Sequence, residues 1–145
     1  MRNASTLGLD GQFVCLNWWA NELLVTLGGE DAEGVAGAIP FAPLSTGAEG
    51  AQVVLDYAEE NGIDLTGKDI PYVQGWWAMA ILVEGIERTV MHGNELTSEN
   101  IKASVESLEN FSTDDVTAPI TFTADDHRGN KTLRMYQSQR VCGNL

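Results

Sequence analysis

A chain of 145 residues with 43% hydrophobic content is long enough to build one domain around its own core. Its 21 acidic residues outnumber 8 basic ones, for a formal charge of −13. A phosphate-binding surface needs the opposite sign, so nucleic acid is excluded as a partner.

Residues 12–16, QFVCL, read as a short buried strand. Asn21 can cap a short helix that carries Leu23, Leu24 and Leu27, and Gly28-Gly29 stops it, because glycine accepts the left-handed conformation. Residues 35–41 read as a second strand, with Pro40 and Pro43 bracketing its end. Residues 47–61 read as a helix. Ala51, Val54, Leu55 and Ala58 keep helical spacing there, and Asn61-Gly62 ends it. The longest predicted helix is 70–90. Val73, Trp76, Trp77, Ala80, Ile81, Val83 and Ile86 cover more than one of its faces, which predicts burial on two sides. A further helix is predicted over 98–109, with Thr97 as N-cap, a staple of Leu96 on Ile101, and a stripe of Ile101, Val105 and Leu108. Residues 118–137 alternate, turn at DDHRGN and alternate again, which predicts a closing β-hairpin. The chain contains no internal repeat and no low-complexity linker. It reads as a single domain over 1–145, with tails at 1–7 and 138–145.

No run reaches the ~18 apolar residues of a membrane helix, since 76–86 is interrupted by Glu84 and Gly85. The opening MRNASTLGLDGQ has no apolar core of signal-peptide length. As written, the chain is expected in the cytoplasm, without membrane insertion. Cys15 and Cys142 stand far apart with no metal-ligand spacing. No metal and no cofactor are expected, for there is also no P-loop and no dinucleotide fingerprint. Cys15 reads as a buried small hydrophobe, and a disulfide to Cys142 stays open.

His92 and His127 are the two histidines. His127 sits in the DDHRGN turn, and its neighbour Asp126 is a poor dyad partner because adjacent turn residues rarely face each other productively. With no nucleophile motif of the G-x-S-x-G kind, no catalytic residue is assigned and the chain is not read as an enzyme. Trp76 and Trp77 read as core, or else as part of a subunit interface. Trp18 and Trp19 are either an aromatic floor for an apolar or ring-bearing ligand, or packing residues of the sheet.

The closing segment APITFTADDHRGNKTLRMYQ also resembles that of the substrate-binding proteins of branched-chain amino-acid-type ABC transporters. Pro119, Phe122, Asp126, His127, Gly129 and Tyr136 carry the pattern. GLDGQF at 8–13, AGAIPFAP at 36–43 and YVQGWWAMAILVEGIER at 72–88 follow in the family's order. The resemblance implies an α/β fold: a three-layer lobe of the type I periplasmic-binding-protein kind, with a mostly parallel sheet flanked by helices and a C-terminal antiparallel hairpin. It matches the C-terminal lobe, a truncated half of a two-lobe fold, in a family that is exported.

Ligands of open α/β sheets gather beyond the carboxyl ends of parallel strands. That rule and the resemblance place a ligand site at Asn17, Trp18, Trp19 and Phe41. Asn17 stands where some family members carry an acid for the ligand ammonium, and a neutral amide cannot supply that ion pair. The expected ligand is an amino acid or similar apolar solute, held weakly or not at all by a monomer that has half the contacts. The alternative is an interaction protein that self-associates through its uncovered lobe surface, and a homo-oligomer is expected.

Overall fold

The structure, a computed structural model, describes residues 1–16, 21–68 and 70–139. A short helix α1 (Arg2–Thr6) is tied down by Arg2, whose Nη2 donates to Leu27 O at 2.7 Å. The segment 1–7, expected as a tail, thus contains a helical turn. β1 (Val14–Leu16) and β2 (Ala36–Ile39) pair in parallel, with Val14 opposite Ala36 and Leu16 opposite Ala38. Between them lies α2 (Glu22–Gly28). Its N-cap is Asn21, whose side chain accepts from Leu24 N–H at 3.1 Å. Gly29 ends it at φ 56°, a conformation that the absence of a Cβ permits. Parallel strands need such a crossover, because a tight turn cannot reverse direction twice.

Then come α3 (Glu49–Glu60), α4 (Ile70–Met91), α5 (Ser98–Glu106) and β3 (Arg134–Gln137). β3 runs antiparallel to β2, with Gly37 opposite Tyr136, which gives the sheet order β1-β2-β3. The mixed α/β class follows the sequence reading. The hairpin takes a different form. The chain does reverse at 123–129, and Thr121 N–H donates to Gly129 O. Its incoming arm meets Phe111 through an isolated bridge at Ile120, and its returning arm finds its ladder on β2. Alternation alone shows that a segment is extended, not which strand it pairs with.

The helical half is built around close contacts. Ala51, Val54 and Ala58 bury the α3 stripe, and Asn61 with Gly62 (φ 62°) ends that helix as expected. Thr97 caps α5 by accepting from Asn100 N–H at 3.2 Å. α5 stops at Glu106, three residues short of its predicted end, and Leu96 of the expected staple stays mostly exposed. Gly85 lets α4 approach α5, for a Cβ there would lie 2.4 Å from Val105 Cγ2. Beside it, Thr89 Oγ1 donates to Gly85 O at 2.8 Å and pairs with Ser104 Oγ at 2.8 Å, so both buried hydroxyls are satisfied. Val73, Trp77 and Val116 form the central cluster.

The prediction that α4 is buried on two sides is overturned. Ile70, Val73, Trp77, Gly85 and Thr89 face inward, whereas Met79, Leu82, Val83 and Val90 remain exposed. An all-apolar helix has the capacity for two-sided burial, but packing decides which face is covered. Among the described residues no helix is long and apolar enough to cross a membrane.

Candidate functional site

The carboxyl ends of β1 and β2 define the edge where the sequence places a ligand. β1 ends at Leu16, and Asn17, Trp18 and Trp19, the next three residues, lie outside the described ones. β2 ends at Ile39 and runs into Pro40-Phe41-Ala42-Pro43. Phe41 is half-buried and packs against the Val73–Trp77–Val116 cluster. Two links fix its backbone. Ala42 N–H donates to Val116 O at 2.7 Å, and Asn130 Nδ2 donates to Pro40 O at 3.0 Å. The loop after β2 is therefore held on both sides of Phe41, at Pro40 and at Ala42.

A larger concavity opens on one sheet face. It measures about 710 Å³ and is bounded by Leu24 and Val25 of α2, Gly37 and Ile39 of β2, Ile70 at the start of α4, and Tyr136 of β3. Gly37 and Tyr136, both of which line it, are cross-strand partners. Ser45, Thr46 and Asn21 form part of its rim, and none of the described residues lining it is charged. Such a surface suits an apolar solute with neutral hydrogen-bonding groups. Phe41 does not line this groove. Sequence reasoning missed the groove because its walls come from four separate segments. The only local signal was a glycine in the middle of a strand.

The charged groups stand elsewhere. His127 Nε2 lies 2.6 Å from Glu106 Oε1, and Lys102 Nζ lies 2.5 Å from the same oxygen. Lys102 first, and then His127, holds the Glu106 carboxyl below its ordinary range. Asp126 pairs instead with Arg128 at 2.9 Å and Lys131 at 2.8 Å, and these partners, Arg128 foremost, hold its carboxyl far below the usual range. The structure thus gives His127 and Asp126 different partners, and both tie the 123–131 turn together or to α5. Among the described residues no group of three His, Cys, Asp or Glu side chains is placed to hold a metal ion.

A family model described as periplasmic binding protein matches residues 1–141. The chain belongs to the periplasmic binding protein family. It is similar in fold to a branched chain amino acid ABC transporter from Thermus thermophilus, solved with bound valine. The TM-score is 0.82 at 23% identity, over 94% of this chain and 38% of that one. It is similar also to an ABC transporter substrate binding protein from Aeropyrum pernix, with a TM-score of 0.72 at 24% identity, over 95% of this chain and 37% of that one. A search of curated proteins found no match. This periplasmic-binding-protein chain therefore reproduces part of the receptor fold, and it spans less than two fifths of the length of the solved relatives. The resemblance drawn from 118–137 and the three upstream segments agrees with both the family and the fold.

Proposed function

We propose that the chain is a remodelled solute-binding module related to amino-acid ABC transporter receptors, and that as a monomer it holds a ligand weakly or not at all. The observation that carries this reading is coverage: the fold matches over nearly all of this chain but only 38% of a receptor solved with valine. A receptor that closes around its ligand draws affinity from both walls of the cleft, and these 145 residues alone, matching 38% of such a receptor, offer only part of those contacts against an undiminished entropic cost of capture. On this reading the site residues are Asn17, Trp18, Trp19 and Phe41, at the carboxyl ends of the parallel strands. Asn17 offers an amide where an ion pair to an ammonium group would need a carboxylate, so an apolar solute or a ligand with neutral polar groups is favoured over an α-amino acid. No residue of this set supplies a nucleophile with a positioned base, so the module binds and does not catalyse. Titration of valine, leucine and aromatic acids against tryptophan fluorescence tests it. Micromolar affinity for valine in a demonstrated monomer contradicts the weak-binding reading.

A second reading is favoured by exposed apolar surface. Val14, Leu16, Leu133 and Met135 crowd one face of the sheet, and Met79, Leu82 and Val83 line α4. Apolar patches of this kind are commonly covered by association, most often as a two-fold dimer. On this reading the chain self-associates. Sedimentation equilibrium that shows only monomer at micromolar concentration removes it.

A further inference from the structure

Asn61-Gly62 is the one Asn-Gly pair in the chain. An asparagine before glycine is poised to lose ammonia, because a residue without a side chain leaves its backbone nitrogen free to approach the neighbouring carboxamide carbon. Both residues are exposed, and nothing lies within 4 Å of the point where a Cβ of residue 62 would stand. Water and hydroxide reach the pair.

The same pair closes α3, and there the fold opposes the reaction. Gly62, at φ 62°, donates to Glu59 O at 3.2 Å, and Ile63 N–H donates to Ala58 O at 2.8 Å. These two bonds form a Schellman cap with glycine in the left-handed position. Asn61 Nδ2 donates to Tyr57 O at 2.8 Å, which draws the carboxamide back along the helix. Closing a succinimide ring needs Gly62 N turned toward Asn61 Cβ. At ψ 5° it is turned well away, and its N–H is committed to Glu59. The attacking nitrogen and the leaving nitrogen are thus both held by the helix end. Reaction requires that this end open first, and helix ends are where local opening costs least.

We infer that Asn61 is a deamidation site whose rate is set by opening of the α3 cap, and whose product keeps the cap from closing again. In the opened end, Gly62 N gives its proton to hydroxide and attacks Asn61 Cγ. A bond forms between that nitrogen and Cγ, the Cγ–Nδ2 bond breaks, and Nδ2 takes a proton from water and leaves as ammonia. Water then opens the succinimide at either carbonyl, which gives aspartate or isoaspartate. Aspartate replaces the donor facing Tyr57 O with an acceptor. It also sets a carboxylate at the negative end of α3, beside Glu59 and Glu60. Isoaspartate in addition lengthens the backbone by one carbon, so Gly62 no longer falls where the left-handed turn needs it. Either product favours the open end. The change is one-way, and it marks chains whose α3 terminus has opened.

The test incubates the full chain at mildly alkaline pH, folded and in guanidinium chloride. Asn61 is followed by peptide mapping and the acidic form of the chain by ion exchange. Loss at Asn61 is expected to be roughly tenfold or more slower in the folded chain than in the unfolded one. The first acidic form should be absent from Asn61→Gln, whose longer side chain would have to close a larger ring. Hydrogen exchange at the Gly62 and Ile63 amides should be several-fold faster in Asn61→Asp than in the wild type. Equal rates in the folded and unfolded chain overturn control by the cap. A first acidic form that persists in Asn61→Gln overturns the site. Unchanged exchange in Asn61→Asp overturns the claim that the product holds the cap open.

Discussion

His127 and Glu106, 21 residues apart, meet at 2.6 Å and fasten the 123–129 turn onto the last turn of α5. Lys102 shares the same carboxylate oxygen. The turn is thereby held by one carboxylate of its own, Asp126, and one from the helix beneath it.

Both carboxyls are held low in the folded chain, Glu106 chiefly by Lys102 and Asp126 chiefly by Arg128. A depressed folded-state value adds stability that is complete above the unfolded carboxylate range, about 4, and is lost as pH falls through the lowered value. Urea midpoints of the wild type and of Glu106→Gln and Asp126→Asn should therefore differ most at neutral pH and converge in strong acid. Taking differences removes the separate effect of neutralising the rest of the acidic surface. Gaps that stay constant down to strong acid would show that these pairs contribute nothing through ionisation.

Two glycines should tolerate alanine very unequally. A Cβ at Gly50 would meet the backbone oxygen of Thr113 at 2.5 Å, Trp77 Cζ2 at 2.6 Å and Val116 Cγ2 at 2.8 Å. At Gly85 it would meet Val105 Cγ2 at 2.4 Å, with the next atoms at 3.7 Å. One side chain can move more readily than a backbone with two core residues. Gly85→Ala is expected to cost about 1–3 kcal/mol, the usual range for overpacking, and Gly50→Ala more than that. Chemical denaturation of both variants checks the order.

Trp77 is 7% exposed, and its Nε1–H is buried with no hydrogen-bond partner. An unsatisfied buried donor costs roughly 1–3 kcal/mol. Trp77→Phe removes the donor along with part of the ring, so the two effects oppose each other and the net change should stay within about 1 kcal/mol. Trp77→Ala removes the ring with no such offset and should cost about 3–5 kcal/mol. A Phe variant as unstable as the Ala variant would show that the indole nitrogen is not a burden.

If a ligand is found by fluorescence, Asn17→Ala combined with Trp18→Ala should weaken it at least about tenfold, the loss of a hydrogen bond and an aromatic contact together. Unchanged affinity moves the site, and the groove at Gly37 and Tyr136 is then the next surface to probe by Gly37→Val.

Much of this fold is written in local chemistry. The Asn21 and Thr97 caps, the Gly29 stop and the Asn61-Gly62 end each depend on a few neighbouring residues, and each forms as the sequence predicts. The α3 stripe is legible for the same reason, since one face is apolar and the other is not. α4 is apolar nearly all round, so its pattern carries no information about which face stays open. The partner of 134–137 was illegible too. The nearest arm in sequence, 120–122, competes on paper with β2, and only the assembled sheet decides between them. Of the four expected site residues, Phe41 lies two positions beyond the end of β2, and its packing against the Val73–Trp77–Val116 cluster depends on a helix that begins far along the chain. Asn17, Trp18 and Trp19 lie outside the described residues.

The pairing of Ala36 with Gln137 joins residues roughly a hundred positions apart, whereas α4 and α5 are sequence neighbours. Closing so long a loop is entropically slow, so the α4–α5 pair is expected to form early in folding and the β2–β3 ladder late. The reverse order governs fraying: β3 is the element whose amides should exchange first in the native state, and the α4–α5 seam around Gly85 and Thr89 the last. Pulsed hydrogen exchange during refolding reads the first order and native-state exchange the second. Protection of β3 before α4 would contradict it.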